Sequence, residues 1–232
     1  MIIDSVKRTY YLVMTGRYTD FQKVMATSID APNVAKYLDA SMVEICYEIL
    51  CFYLEAAIYL EQWPDVEAFI RTTSTIDSDR VRSIMVDMIL TAKKMPLECT
   101  IRSLQELLNT LPCIHTKRFG LIRCIFDLCL KHRRNDIRIC ETVLNQALIT
   151  AQETTASTET RNQDDELEYI STKSFNYAVD LYLSGQQTDS QRWARKAIEL
   201  SQFMREDCGS LALVLQGKYE KWLTYDMVIS DS

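Results

Sequence analysis

The chain has 232 residues, 47% of them hydrophobic and 25% charged, with a formal net charge of −6. This excludes a disordered polymer and a chain whose overall charge is built for nucleic acid. Only 5 glycines and 4 prolines are present, too few turn formers for a sandwich of many short strands.

The apolar spacing is helical almost throughout. A first pair of helices is expected at Ile2–Met14 and Thr19–Thr27, joined by Gly16-Arg17-Tyr18. From Cys46 the apolar residues Ile49, Leu50, Tyr53, Ala56, Ala57 and Leu60 follow one helix face, and Phe52 adds a second. A helix apolar on two sides packs on two sides. The stretch from Ile45 to Leu60 is interrupted by Glu48 and Glu55 and falls short of the roughly 20 residues that cross a bilayer. The chain turns at Gln62-Trp63-Pro64-Asp65, where Pro64 suits a first helical turn.

The next helix is expected to start at Asp77 or Ser78, either able to cap free N–H groups. Its stripe is Val81, Ile84, Met85, Met88 and Ala92, with Lys93 and Lys94 in its last turn and Pro96 as a stop. Leu97, Ile101, Leu104, Leu108 and Leu111 mark the partner helix, which Pro112 ends. Lys117–His132 and Asp136–Glu153 make a third pair. Residues 154–165 are polar without apolar periodicity and read as a solvated loop. A fourth pair follows at Glu166–Ser184 and Asp189–Arg205, then a last helix, Ser210–Leu223, placed to cover the end of the stack.

The pairs begin near residues 42, 78, 117 and 166. Apart from the interval lengthened by the loop, this is the period of a tetratricopeptide-like solenoid, roughly 34 to 40 residues. The expected fold is all-α, a right-handed superhelix of antiparallel helix pairs. Degenerate repeats would span 1–153 and a C-terminal pair with its capping helix 166–232. An irregular helical bundle is the competing architecture.

The fourth pair is the clearest repeat. Ala178, Ser190, Ala194 and Ala197 are small residues at spacings that let two helices approach closely. Leu167, Ile170, Ser174, Tyr177, Ala178 and Leu181 form one stripe; Phe175, Val179 and Tyr182, with Thr172 a turn earlier, form another. The second stripe is expected to line an inner groove, with Asn176 beside it. The Asn176 carboxamide carries a donor and an acceptor that match an extended peptide backbone; alternatively it is an ordinary exposed helix residue. Trp63, Trp193 and Trp222 read as core residues or, at a groove rim, as binding anchors.

Phosphate-binding, dinucleotide, zinc-protease and nucleophile-elbow motifs are missing. No catalytic residue, cofactor or metal is expected. Cys113, His115, Cys124, Cys129 and His132 lack the tight paired spacing of a structural zinc site. Most of the eight cysteines sit in apolar stripes, which fits a reducing, intracellular compartment. One basic run stands out: Lys117, Arg118, Arg123, Lys131, Arg133, Arg134 and Arg138, opposed only by Asp127 and Asp136. It reads either as a solvated helix end or as a patch for an acidic partner or DNA backbone.

The segment Tyr169-Ile-Ser-Thr-Lys-Ser-Phe-Asn-Tyr-Ala-Val-Asp-Leu-Tyr182 is followed by Gln191-Arg-Trp-Ala-Arg-Lys-Ala-Ile-Glu-Leu200, Gly209-Ser-Leu211 and Gln216-Gly-Lys-Tyr219. Together they resemble the C-terminal region of the fungal Spo-twenty-two/Zip-four family, as does Arg118-Phe with Ile122-Arg-Cys-Ile-Phe126. The resemblance covers roughly residues 115–225. It implies a meiosis-specific tetratricopeptide-like scaffold in the nucleus, on chromosomes, that promotes crossover formation and synaptonemal complex assembly. Implied partners are proteins of the Zip-two and Spo-sixteen type and central-element components. By position, Phe175 and Asn176 are the residues expected to face a partner. Family members are several times longer, so the chain is expected to be a fragment, a short paralogue or a truncated reading of the gene.

Overall fold

A computed structural model describes residues 12, 16–20, 23, 40–73, 78–111, 117–131, 137–154, 163–207 and 209–230. Among them nine helices are bounded and no strand occurs. These are α1 (Ala40–Tyr59), α2 (Trp63–Thr72), α3 (Asp79–Thr91), α4 (Leu97–Thr110), α5 (Arg118–Lys131), α6 (Ile137–Thr154), α7 (Asp164–Leu183), α8 (Gln187–Ser201) and α9 (Ser210–Ser230). None is long and apolar enough to cross a membrane. The chain divides into two compact units, Met1–Thr110 and Leu111–Ser232.

Most of the helix pair expected at Ile2–Met14 and Thr19–Thr27 lies outside the described residues. Its turn is described. Gly16 takes φ +68 and the Arg17 N–H reaches back to the Leu12 carbonyl at 2.8 Å, the bond that closes a helix end over a left-handed residue.

In the first unit, α1 packs on α2 and α3, α2 on α4, and α3 on α4. Each helix therefore touches its hairpin partner and the equivalent helix of the next pair, which is how helical repeats stack. The α1–α2 turn closes with the Gln62 N–H on the Ala57 carbonyl (2.9 Å) over Glu61, which takes φ +59. Tyr53 stacks on Phe69 across this hairpin, centroids 4.9 Å apart. Ser78 is the N-cap of α3, its hydroxyl accepting the Val81 N–H at 3.4 Å. Helix α3 ends at Thr91, so Lys93 and Lys94 lie beyond its last turn; Lys94 pairs instead with Glu61 at 2.7 Å. The α2–α4 seam carries two ion pairs, Arg71–Glu106 (2.9 Å) and Arg102–Glu67 (3.2 Å).

The second unit repeats the pattern. Helix α5 packs on α6 and α7, α6 on α8, α7 on α8, and α9 on α8. The α7–α8 hairpin is the tightest. Ala178, Ser190, Ala194 and Ala197 are buried along it, and the Ser190 hydroxyl donates to the Ala178 carbonyl at 2.8 Å. Small side chains leave room for this bond between neighbouring backbones. The hairpin turns at Gly185, φ +79, with the Gln186 N–H on the Leu181 carbonyl at 2.9 Å. Trp193 of α8 is fully buried at the centre of the unit, edge-on to Tyr177 of α7 (4.7 Å) and stacked with Phe126 of α5 (6.2 Å).

The polar segment 154–165 is not solvated at its ends. Thr154 closes α6 and is buried, its hydroxyl donating to the Thr150 carbonyl at 2.9 Å. Gln163 is buried too, and α7 starts at Asp164 rather than Glu166. The reason is long-range: Asp164 Oδ2 accepts the N–H groups of Arg205 and Glu206, at 2.9 and 2.6 Å, which ties the start of α7 to the turn after α8. Residues 155–162 lie outside the described set.

Candidate protein-binding cleft

Stacking α5 beside α7 leaves an open cleft between their outer faces. Helix α5 contributes Asp127, Leu130 and Lys131. Helix α7 contributes Tyr169, Lys173, Asn176, Tyr177 and Asp180, and the space between them is about 510 Å³. The α7 residues recur every three or four positions, so they fall on one helix face. Leu130, Tyr169 and Tyr177 give the cleft an apolar floor and the remaining residues give it polar sides.

The floor is pinned. Tyr169 Oη donates to Asp127, 3.0 Å from each carboxylate oxygen. The Arg123 guanidinium lies over the Tyr169 ring, 3.9 Å from its centroid, and Nη1 donates to Glu166 Oε2 at 3.1 Å. The Lys173 ammonium sits 5.4 Å from the same centroid. A ring held on its face by a cation and at its hydroxyl by a carboxylate is rigid.

The structure divides the expected groove residues between two faces of α7. Asn176 and Thr172 are exposed, and Asn176 lines the α5–α7 cleft. Phe175 is only 3% exposed and stacks on Trp222 of α9, centroids 5.1 Å apart. Tyr182 is half-buried and stacks on the other end of that contact, 5.7 Å from Trp222, and Val179 between them is half-buried. The aromatic stripe therefore faces the chain's own last helix, and the amide faces the cleft. Asp127, Leu130, Tyr169, Lys173 and Asp180 were not anticipated as cleft residues. Their signal was the repeat pattern itself, which sets equivalent helices side by side.

Two members of the basic run are engaged inside the second unit. Arg118 donates from Nε to Thr150 Oγ1 at 3.1 Å and from Nη1 to the Leu111 carbonyl at 2.7 Å. Arg123 is bound to Glu166 and Tyr169, as above. Lys117, Lys131 and Arg138 are exposed, and Arg133 and Arg134 lie outside the described residues. Of the run's described members, Lys131 reaches the cleft.

Cys51, Cys124 and Cys129 are not poised for chemistry. Burial pushes Cys51 up to about 11, burial likewise raises Cys124, and a contact with Cys140 together with burial raises Cys129. A protonated buried thiol is a poor nucleophile and a poor metal ligand. Cys113, His115 and His132 lie outside the described residues. No protein-family model matches the chain, and no curated protein matches its sequence.

Proposed function

We propose that the chain is a non-catalytic scaffold that binds other proteins through the α5–α7 cleft, within a tetratricopeptide-like right-handed array of helix pairs. The observation that carries this reading is the exposed Asn176 carboxamide at the side of a cleft with a rigid aromatic floor. An extended segment laid along the cleft would offer a backbone N–H and C=O to that amide and apolar side chains to Leu130, Tyr169 and Tyr177. Each hydrogen bond would contribute about 1 kcal/mol. The resemblance of residues 115–225 to the Spo-twenty-two/Zip-four family supports placing this scaffold in meiosis. There it would promote crossover formation and synaptonemal complex assembly on chromosomes, with Zip-two- and Spo-sixteen-type factors or central-element proteins as partners.

The test is co-purification with the tagged chain from meiotic cells, wild type beside Asn176→Ala. Asn176 is exposed, so its substitution leaves folding intact, whereas Phe175→Ala would open the α7–α9 contact and confuse binding with stability. Crossover or synaptonemal proteins recovered with wild type and lost with Asn176→Ala are the expected result. An unrelated protein set would point to an adaptor of another pathway. An unchanged set would remove the cleft from the reading.

A further inference from the structure

We infer that the segment bound in the α5–α7 cleft carries carboxylates. The inference rests on the reading of that cleft as a protein-binding surface. It comes from a count of which polar groups there are already engaged. Both oxygens of Asp127 face the Tyr169 hydroxyl at 3.0 Å. Asp180 also interacts within the chain. Lys131 and Lys173 have no carboxylate within ion-pairing distance among the described residues; Lys173 has only the Tyr169 ring at 5.4 Å. Asn176 is exposed beside them. The groups still open to a ligand are thus two ammonium groups, one from each wall, and one carboxamide.

A ligand with two or more acidic side chains over an apolar floor answers this arrangement. Carboxylates would meet Lys131 on one wall and Lys173 on the other, with apolar side chains between them on Leu130 and Tyr177. A basic segment would meet two unpaired cations of its own sign. A nucleic-acid backbone fits less well, because its evenly spaced phosphates cannot avoid Asp127 and Asp180, whereas a peptide can set neutral residues against them and acidic ones against the lysines. The exposed position of the lysines keeps each ion pair weak and salt-sensitive, so the charges select among segments rather than hold them alone.

The experiment is selection of a random peptide display library on the full chain, followed by anisotropy titration of the selected peptides. The expected result is enrichment of Asp and Glu around apolar residues. Lys131→Glu/Lys173→Glu should weaken the selected peptides roughly tenfold while helicity and melting temperature stay unchanged. Selected peptides that are neutral or basic yet lose affinity with Asn176→Ala would overturn the carboxylate preference and leave the cleft as a binding surface. Peptides indifferent to all three substitutions would overturn both readings. A library that yields no binder overturns the inference, with the co-purification deciding the cleft. A duplex oligonucleotide binding through the same lysines more tightly than any selected peptide would overturn it in favour of nucleic acid.

Discussion

The indole of Trp222 stacks on the ring of Phe175, centroids 5.1 Å apart, and on Tyr182 at 5.7 Å. One side chain of α9 thus covers the aromatic stripe of α7, while Tyr219 of the same helix is buried against α8 and accepts a hydrogen bond from Arg195 Nε at 3.2 Å. Helix α9 is also capped by the turn that leads into it, Asp207 Oδ2 accepting the Leu211 N–H at 2.5 Å. Trp222→Ala should therefore lower the stability of the second unit by about 2 kcal/mol, less than a fully buried aromatic because the ring is half-exposed. Urea denaturation checks this. A variant as stable as wild type would mean that the stacking contributes nothing and that α9 is not held through Trp222.

Local features were legible from the sequence because their causes are local. Ser78 caps α3 and Pro64 sits in the first turn of α2. Pro96, expected as the stop of α3, instead stands just before α4, its carbonyl accepting the Thr100 N–H at 2.9 Å, while α3 already ends at Thr91. The small residues of the α7–α8 hairpin were legible too, since close approach needs them in place. The face assignment of α7 was not. Phe175 and Asn176 are adjacent, and which of them is buried depends on Trp222, a contact that no local pattern contains. The local pattern of the basic run likewise does not contain the groups outside α5 that hold two of its members, Thr150 and Leu111 for Arg118 and Glu166 for Arg123. Gln163 read as solvated because the tie from Asp164 to Arg205 and Glu206 spans the whole hairpin.

The Ser190 hydroxyl bridges α8 to the Ala178 carbonyl at 2.8 Å, and Ser190 is 1% exposed. Ser190→Ala removes one buried hydrogen bond, but the carbonyl keeps its place in the helix ladder, so the cost should be about 1 kcal/mol. Ser190→Leu forces a branched side chain between closely packed helices and should cost about 3 kcal/mol. The ordering of the two midpoints in urea is the check. Equal midpoints would mean that the hairpin is looser there than the contacts with Ala194 and Ala197 imply.

Glu61 is the only described residue other than glycine with positive φ, +59. It occupies the position after α1 at which Gly16 and Gly185 close their own helices. A side chain in this conformation costs roughly 1–2 kcal/mol, and the pair with Lys94 is solvent-exposed, so it offsets little of that cost. Glu61→Gly should stabilise the first unit by about 0.5–1 kcal/mol after the added chain entropy of glycine. Glu61→Gln keeps the strain, loses the ion pair and should be slightly less stable than wild type. Thermal melts of the three proteins separate strain from charge; a destabilised Glu61→Gly would show that the pair with Lys94 outweighs the backbone.

Glu141 of α6 ties α6 to α8, accepting hydrogen bonds from Arg192 (2.7 Å to Nε) and from the Lys196 ammonium. Burial by itself would raise the Glu141 pKa, but these two cations outweigh it and hold the carboxyl below its ordinary value of 4.5. The group therefore binds fewer protons folded than unfolded. Its contribution is present above pH 4.5 and is lost as pH falls through the lower folded value. Glu141→Gln keeps the shape without the charge and should be less stable than wild type by about 1 kcal/mol at pH 7, where Lys196 loses its carboxylate partner and Arg192 keeps only Asp189. That gap should close on acidification below 4.5, since wild type itself becomes protonated there. Denaturation midpoints of the two proteins between pH 7 and 3 check the sign. A gap that stays constant or widens in acid would mean that the carboxylate is not what couples α6 to α8, and that the seam rests on the apolar packing beneath it.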